Sequence, residues 1–281
     1  MEPVDIEAHT RTVRSGEFSF PVFDRGEGRA VVLLHGFPDS RHLWRHQIPA
    51  LVDAGLRVVA PDLRGFGDAP KPAAVEDYAI PRVVDDVLGL ADALGFESFG
   101  VVGHDWGAVV AWLLAMRHPD RVERLAALSV GCPGTPGTRS VEQLALAWYA
   151  MVFRYGEGVE DLVRANDWSF LRYLSGGDGD QDRYYEGLAR PGALTAALNW
   201  YRANFHLDFT ASGDVEMPRV RCPVLGVWSD GDRYLTEDHV RLSREQVDGP
   251  WRYERIRGAS HWMMLDRPDE VARLLVEFLA R

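Results

Sequence analysis

Three features are scarce in this sequence of 281 residues: cysteine, positive charge and long hydrophobic runs. Only Cys132 and Cys222 occur, far apart and in no zinc-binding spacing, so we expect buried free thiols rather than a disulfide or a metal site. Asp and Glu outnumber Lys and Arg by 42 to 31, which argues against nucleic acid or an anionic membrane as the partner. The longest apolar run, residues 144–153, is too short to span a bilayer.

The chain also lacks internal repeats, low-complexity segments and, at its start, the basic and apolar regions of a signal peptide. We therefore expect a cytoplasmic protein. Its composition is that of an ordinary globular protein, with 46% hydrophobic and 26% charged residues, which is ample material for a large core. The length suits one large α/β domain or a core with an inserted subdomain.

Short runs rich in Val and Leu alternate with stretches of helical periodicity, which predicts an α/β fold with a mostly parallel, doubly wound sheet. The strand-like runs are residues 30–34, 57–60, 100–102, 125–129, 224–228 and 251–256. Helices are predicted at residues 41–54, 80–94, 107–117, 236–247 and 268–279. The alternation breaks after residue 132, where a helical, aromatic-rich stretch begins. We predict a core formed by residues 1–132 and 216–281, with a helical cap, residues 133–215, inserted into it.

The most informative motif surrounds Asp105, which Gly103 and Gly107 flank between a strand-like run and a helical run. This pattern predicts a nucleophile elbow, a sharp strand-to-helix turn that presents one side chain to a pocket. Serine is the usual residue there and needs a base, whereas a carboxylate with an unperturbed pKa of about 3.9 is already ionised at neutral pH. A carboxylate suits attack at a saturated carbon and formation of an alkyl ester. The motif therefore favours epoxide or carbon–halogen opening, and no Gly-x-Ser-x-Gly sequence supports an ordinary serine esterase.

A nucleophile of this kind needs donors that stabilise the oxyanion formed when water cleaves the ester. Residues 35–38, His-Gly-Phe-Pro, directly follow a core strand, where elbow-containing hydrolases place their oxyanion loop. We predict that the backbone N–H groups of Phe37 and Trp106 form the oxyanion hole.

The site also needs a base and an acid that orients it, and both are expected after Asp105 in the chain. His261 follows the last strand-like run and is the predicted base. Its competitor His239 lies among polar neighbours in a helical stretch, so we expect it to be solvated. Asp232 is the predicted acid, in the loop after the strand that begins at residue 224. Asp230 remains the alternative and would otherwise shape the turn.

With these residues assigned, the chain resembles the α/β-hydrolase-fold epoxide hydrolases, of the soluble, bacterial type, along nearly its whole length. The matching segments are residues 35–40, 44–45, 61–68, 103–107 and 258–262. The resemblance implies two cap tyrosines that bind the epoxide oxygen and supply a proton. Tyr201 matches one of them, and Tyr149 fits the place of the other, with Tyr155 as the alternative. A departure is Ala150, where the family often has a polar residue.

The resemblance implies a two-step reaction that needs no cofactor and no metal. Asp105 attacks an epoxide carbon while Tyr149 and Tyr201 stabilise the opening oxygen. His261, oriented by Asp232, then activates water to cleave the ester and release a vicinal diol. The expected partners are a small hydrophobic epoxide and water, and the sequence leaves open whether the chain is a monomer or a homo-oligomer.

Two alternatives remain. Haloalkane dehalogenases share the fold and the aspartate, but they usually carry asparagine where this chain has Phe37 and lack the tyrosine pair. A non-catalytic ligand-binding protein of the same fold would be expected to have lost at least one of Asp105, Asp232 and His261, and all three are present.

Overall fold

A computed structural model describes residues 2–135, 140–205 and 217–280. Its eight strands are β1 Thr10–Ser15, β2 Phe18–Arg25, β3 Arg29–Leu34, β4 Leu56–Pro61, β5 Phe99–His104, β6 Val122–Leu128, β7 Val224–Gly231 and β8 Trp251–Ser260. They form one sheet in the order β1-β2-β4-β3-β5-β6-β7-β8. The pairs β1–β2 and β2–β4 are antiparallel, and every pair from β4 to β8 is parallel. The prediction of a mostly parallel sheet is confirmed, and β1 and β2 add two strands that were not predicted.

The helices that pack on the sheet are α1 Ile48–Asp53, α2 Ile80–Ala93, α3 Trp106–Arg117, α9 Glu237–Arg241, α10 Met263–Asp266 and α11 Pro268–Leu279. Two predicted helices are shorter than expected. Residues 41–54 form a 3₁₀ turn, Arg41–Trp44, and then α1, whose proline in the first turn suits a helix start. Residues 236–247 form α9, capped by the Thr236 side chain, and then a second 3₁₀ turn, Leu242–Gln246.

Alternate residues of the central strands point to opposite faces of the sheet, as strand geometry requires. In β3, Val32 and Leu34 pack with α2 and α3 in one hydrophobic cluster, while Val31 and Leu33 pack with α1 and α11 in another. Both faces are therefore buried, which explains why these strands are apolar without alternation. The carboxyl ends of β3, β5, β7 and β8 meet at one edge of the sheet, and ligands bind at this edge in open α/β sheets.

Between β6 and β7 lie five helices within the described residues, here called the cap helices. They are α4 Val141–Leu146, α5 Trp148–Arg154, α6 Val159–Ser175, α7 Gln181–Ala189 and α8 Ala193–Asn204. A loop at residues 176–180 joins α6 to α7, and its three glycines all have positive φ. The division into core and cap stays a prediction, and its second boundary, at residue 216, lies outside the described residues.

The two cysteines are free thiols, as predicted, although only Cys132 is buried and Cys222 is partly exposed. Across residues 2–135, 140–205 and 217–280, no helix has the length and hydrophobicity to cross a bilayer. The same described ranges hold no group of three or more His, Cys, Asp or Glu side chains that could bind a metal ion.

Candidate active site

Asp105 occupies a strained turn between β5 and α3. Its backbone has a φ of 53° and a ψ of −125°, a conformation that costs a non-glycine residue about 1–3 kcal/mol. A Cβ at Gly103 would lie 2.3 Å from the carbonyl oxygen of Gly107, and one at Gly107 would lie 2.2 Å from that of Leu34. The turn can close only with glycine at both positions, and this geometry is that of a nucleophile elbow.

The loop after β3 holds one oxygen of this carboxylate. The backbone N–H of Phe37 donates to Asp105 Oδ1 over 2.7 Å. His35 supports the loop, because its Nε2 accepts from the N–H of Leu63 at 2.9 Å while its Nδ1 donates to the carbonyl of Gly36. Trp106 is the first residue of α3, where backbone N–H groups have no partner within the helix. Of the two predicted oxyanion donors, Phe37 therefore contacts the carboxyl group directly, and Trp106 follows Asp105 in the chain.

A histidine and a second aspartate complete the polar centre. His261 follows β8 and is 3% exposed, and its Nδ1 lies 2.8 Å from Asp232 Oδ2. The other oxygen of Asp232 accepts the N–H groups of Tyr234 and Leu235, so the carboxylate is held from both sides. Asp230 instead accepts the backbone N–H of Gly258 at 2.7 Å. Of the two candidate acids, Asp232 is the one in contact with His261.

The expectation that His239 is solvated is wrong. Its side chain is buried, and its Nδ1 accepts the backbone N–H of Gly131 over 2.8 Å. Burial lowers its pKa to about 4, so it is neutral and serves to hold the segment after β6. The polar residues beside it in the sequence gave no sign of this contact.

The charges of Asp105 and His261 stabilise each other. Nε2 of His261 lies 3.7 Å from Asp105 Oδ2, beyond hydrogen-bonding distance but close enough for a strong charge interaction in a buried site. Burial by itself would lower the pKa of His261, but the carboxylates of Asp232 and Asp105 outweigh it and raise the pKa to about 10. Burial likewise opposes ionisation of Asp105, and the interaction with His261 reverses this and lowers its pKa. In this state His261 is charged at neutral pH and Asp105 is ionised.

Two of the three cap tyrosines considered from the sequence face the polar centre. Tyr149 on α5 and Tyr201 on α8 line the same cavity as Asp105 and His261, and their ring centroids lie 6.0 Å apart. Burial, reinforced by the negative charge of Asp105, raises the pKa of both phenols well above 10. Both are therefore neutral proton donors at neutral pH. Tyr155 is 74% exposed on the outer surface and does not line the cavity.

The cavity is narrow, with a volume of about 40 Å³, which is below the usual range for small-molecule sites. Most of its wall is aromatic or aliphatic, with Leu171 and Leu174 contributed by α6. Four further aromatic residues line it that sequence reasoning did not single out: Tyr184, Tyr185, Tyr234 and Trp262. Tyr234 lies two residues after Asp232 and Trp262 directly follows His261, so adjacency to the predicted acid and base was a usable signal for both.

A match to a family model that describes the alpha/beta hydrolase fold covers residues 29–268. The chain belongs to the alpha/beta hydrolase fold family. Epoxide hydrolase A of Mycobacterium tuberculosis is 35% identical, over 96% of this chain and 93% of that protein. Epoxide hydrolase 3 of Xenopus tropicalis is 32% identical, over 89% of this chain and 71% of that protein.

Solved structures agree with this assignment. Epoxide hydrolase A of Mycobacterium thermoresistibile superposes on this hydrolase with a TM-score of 0.81 at 31% identity, covering 99% of this chain and 98% of that one. An inhibitor complex of the Bacillus megaterium epoxide hydrolase has a TM-score of 0.85 at 27% identity, covering 96% and 100%. The matched range 29–268 includes every predicted site residue of this hydrolase, from Phe37 to His261.

Proposed function

We propose that this hydrolase opens hydrophobic epoxides to vicinal diols through an ester formed on Asp105. The observation that carries the proposal is the shared cavity. A carboxylate nucleophile and a His–Asp pair lie on its core side, and the two buried phenols of Tyr149 and Tyr201 face them from the cap helices. The relatives named epoxide hydrolases support the same conclusion, because they match the chain over nearly its whole length.

In the first step Asp105 attacks a ring carbon and the epoxide oxygen leaves as an alkoxide. An alkoxide is a poor leaving group unless donors meet its charge as it develops. Tyr149 and Tyr201 fit this role, since their raised pKa values keep both protons in place until a strong base appears. The lowered pKa of Asp105 keeps the nucleophile ionised well into the acidic range.

The two oxygens of Asp105 have different neighbours, which suggests different roles. Oδ1 accepts the N–H of Phe37, whereas Oδ2 lies toward His261. Attack by Oδ2 leaves Oδ1 as the ester carbonyl, already hydrogen-bonded to an oxyanion donor. The N–H of Phe37 then stabilises the charge that develops on Oδ1 when water adds, without rearrangement, and the N–H of Trp106 is the predicted second donor.

In the second step His261 must be neutral to take a proton from water. The carboxylate of Asp105 is one of the two charges that raise its pKa, and ester formation removes that charge. The pKa of His261 therefore falls once the ester exists, and the imidazolium releases a proton that replaces the one a cap tyrosine gave to the alkoxide. The neutral imidazole is then a base at the point where one is needed. Asp232 contacts Nδ1 and stabilises the imidazolium that forms.

The aromatic and aliphatic wall of the cavity favours an aryl or alkyl epoxide over a charged one. The proposal needs only the side chains named here and water. A cytoplasmic location stays a prediction.

The test is diol formation from a styrene-oxide-like aryl epoxide, with halide release from a bromoalkane followed in parallel. Wild type should form diol, and Asp105→Ala should not. Asp232→Asn should lose most of the activity, while Asp230→Asn, which keeps an acceptor for Gly258, should retain it and serves as the matched control. Halide release without diol would instead assign the enzyme to carbon–halogen hydrolysis.

A further inference from the structure

The loop that carries Asp232 is held in place by the cap helices. Asp232 Oδ1 accepts the N–H of Tyr234 at 2.9 Å and that of Leu235 at 3.1 Å, while Oδ2 contacts His261. The direction of the carboxylate therefore follows the backbone of residues 232–236. Any group that holds this backbone also sets the orientation of the imidazole.

Gln143, on α4, is such a group. Its side-chain Nε2 donates to the carbonyl of Tyr234 over 2.8 Å, and its Oε1 accepts the backbone N–H of Thr236 over 3.0 Å. Gln143 is only 4% exposed, so water cannot readily replace either bond. The amide of Gln143 thus donates to one backbone group of the loop and accepts from another two residues later, as a neighbouring strand would do.

A second contact from the cap helices reaches the same loop. The hydroxyl of Tyr234 donates to the carbonyl of Leu174 on α6 over 3.0 Å. The Tyr234 ring packs edge-on against His261, with the ring centroids 4.9 Å apart. Leu174 therefore binds the side chain of Tyr234, and Gln143 binds its backbone.

We propose that Gln143 is a positioning residue for the hydrolysis of the covalent ester. This inference rests on the function proposed above and adds a residue to it. Asp232 and His261 act on water after the ester has formed, whereas Asp105 and the cap tyrosines act before. Loss of the Gln143 bonds should therefore slow ester cleavage and leave ester formation unchanged.

The experiment compares the two steps separately in wild type and Gln143→Met, which keeps the side-chain length and loses both hydrogen bonds. Rapid quenching and intact-mass analysis of a single turnover with an aryl epoxide measure how fast the ester on Asp105 forms and decays. We expect unchanged formation and decay slower by about 10- to 100-fold, the size of effect that a small misplacement of a catalytic group produces. The ester should accumulate at steady state, and kcat should fall.

The pH profile gives a readout that a general loss of stability would not change. Asp232 is the largest influence that raises the pKa of His261 against burial. A loosened Asp232 loop should therefore move the acidic limb of ester decay to lower pH in Gln143→Met.

Ser140→Ala is the matched control. The Ser140 hydroxyl caps α4 by accepting the N–H of Gln143 at 3.0 Å, so its removal weakens the helix and leaves the Gln143 side chain intact. We expect Tm to fall by about 2–4 °C with ester decay unchanged. If Gln143→Met does not fold, Tyr234→Phe provides the second test, because it removes only the bond to Leu174 and should also slow decay.

Equal slowing of formation and decay, or decay at the wild-type rate in a folded Gln143→Met, would overturn the positioning role. Slow decay in Ser140→Ala would overturn it as well, since stability would then explain the effect. Wild type that makes diol without any ester on Asp105, or makes no diol, would refute the proposed function itself.

Discussion

Replacing Tyr201 by phenylalanine tests the role of the cap tyrosines with little disturbance of the fold. The Tyr201 ring is 4% exposed and packs against Phe153, Trp106 and Phe37, with centroid distances of 5.0, 5.2 and 5.5 Å. Phenylalanine keeps all three ring contacts and removes only the hydroxyl. The variant therefore measures what one proton donor contributes to opening the epoxide.

The expected loss follows from the burial of the donor. In a site closed to water, removal of one donor to a developing oxyanion costs about 2.7–4 kcal/mol, or about 10²- to 10³-fold in rate. Tyr149 lies in the same cavity and can still donate, so the single variant should keep measurable activity. The double variant Tyr149→Phe/Tyr201→Phe should lose more of the rate of ester formation than either single variant.

Single-turnover kinetics with an aryl epoxide decide the matter, because they separate ester formation from ester decay. Tyr201→Phe should slow formation by the stated factor and leave decay within about twofold of wild type. Tyr155→Phe is the matched control, since Tyr155 is 74% exposed, and should behave as wild type. A loss below about threefold in formation, or a slowed decay instead, would refute the assignment of Tyr201 as a proton donor.

Three further predictions concern the residues around Asp105. His261→Gln should still form the ester but cleave it about 10²- to 10⁴-fold more slowly, so the mass of the protein should rise by that of one epoxide; absence of the adduct would contradict the base role. Gly36→Ala should abolish diol formation with little change in the circular dichroism spectrum, because the new Cβ would lie 2.3 Å from Asp105 Oδ1; an active variant would contradict this geometry. Burial raises the pKa of Asp39 from 3.8 to about 7, so the contribution of Asp39 to the free energy of unfolding should fall as pH rises from 4 to 7. Asp39→Asn keeps an acceptor for the Trp262 indole. Its free energy of unfolding relative to that of wild type, measured with urea, should rise by up to about 4 kcal/mol from pH 4 to pH 8; an equal difference at both pH values would contradict this prediction.

The parts of the site that depend on local backbone sterics could be predicted from the sequence. The elbow at Asp105 needs glycine two residues before and after it, because a Cβ at either place would overlap the backbone. The oxyanion loop and His261 follow strand ends, and the carboxyl ends of parallel strands meet at one edge of the sheet. These features could be recognised without knowledge of distant contacts.

Residues whose surroundings come from distant parts of the chain could not be placed in this way. Asp230 lies near the end of β7, where the register is irregular, and Asp232 directly follows the strand. Only the folded chain shows that Asp232 is the carboxylate in contact with His261. His239 was expected to be solvated, yet its partner Gly131 lies 108 residues away. Gln143 lies 91 residues from the carbonyl it binds.

The sequence by itself therefore determined the fold class and the elbow, and it predicted Asp105 as the nucleophile and His261 as its base. These follow from side-chain periodicity and from steric limits on a few consecutive residues. Only the tertiary structure decided which acid contacts His261, that Tyr149 rather than Tyr155 lines the cavity, and that the cap helices hold the Asp232 loop. The reason is physical: burial, hydrogen-bond partners and pKa values depend on groups brought together from separate elements, and a linear pattern does not contain those distances.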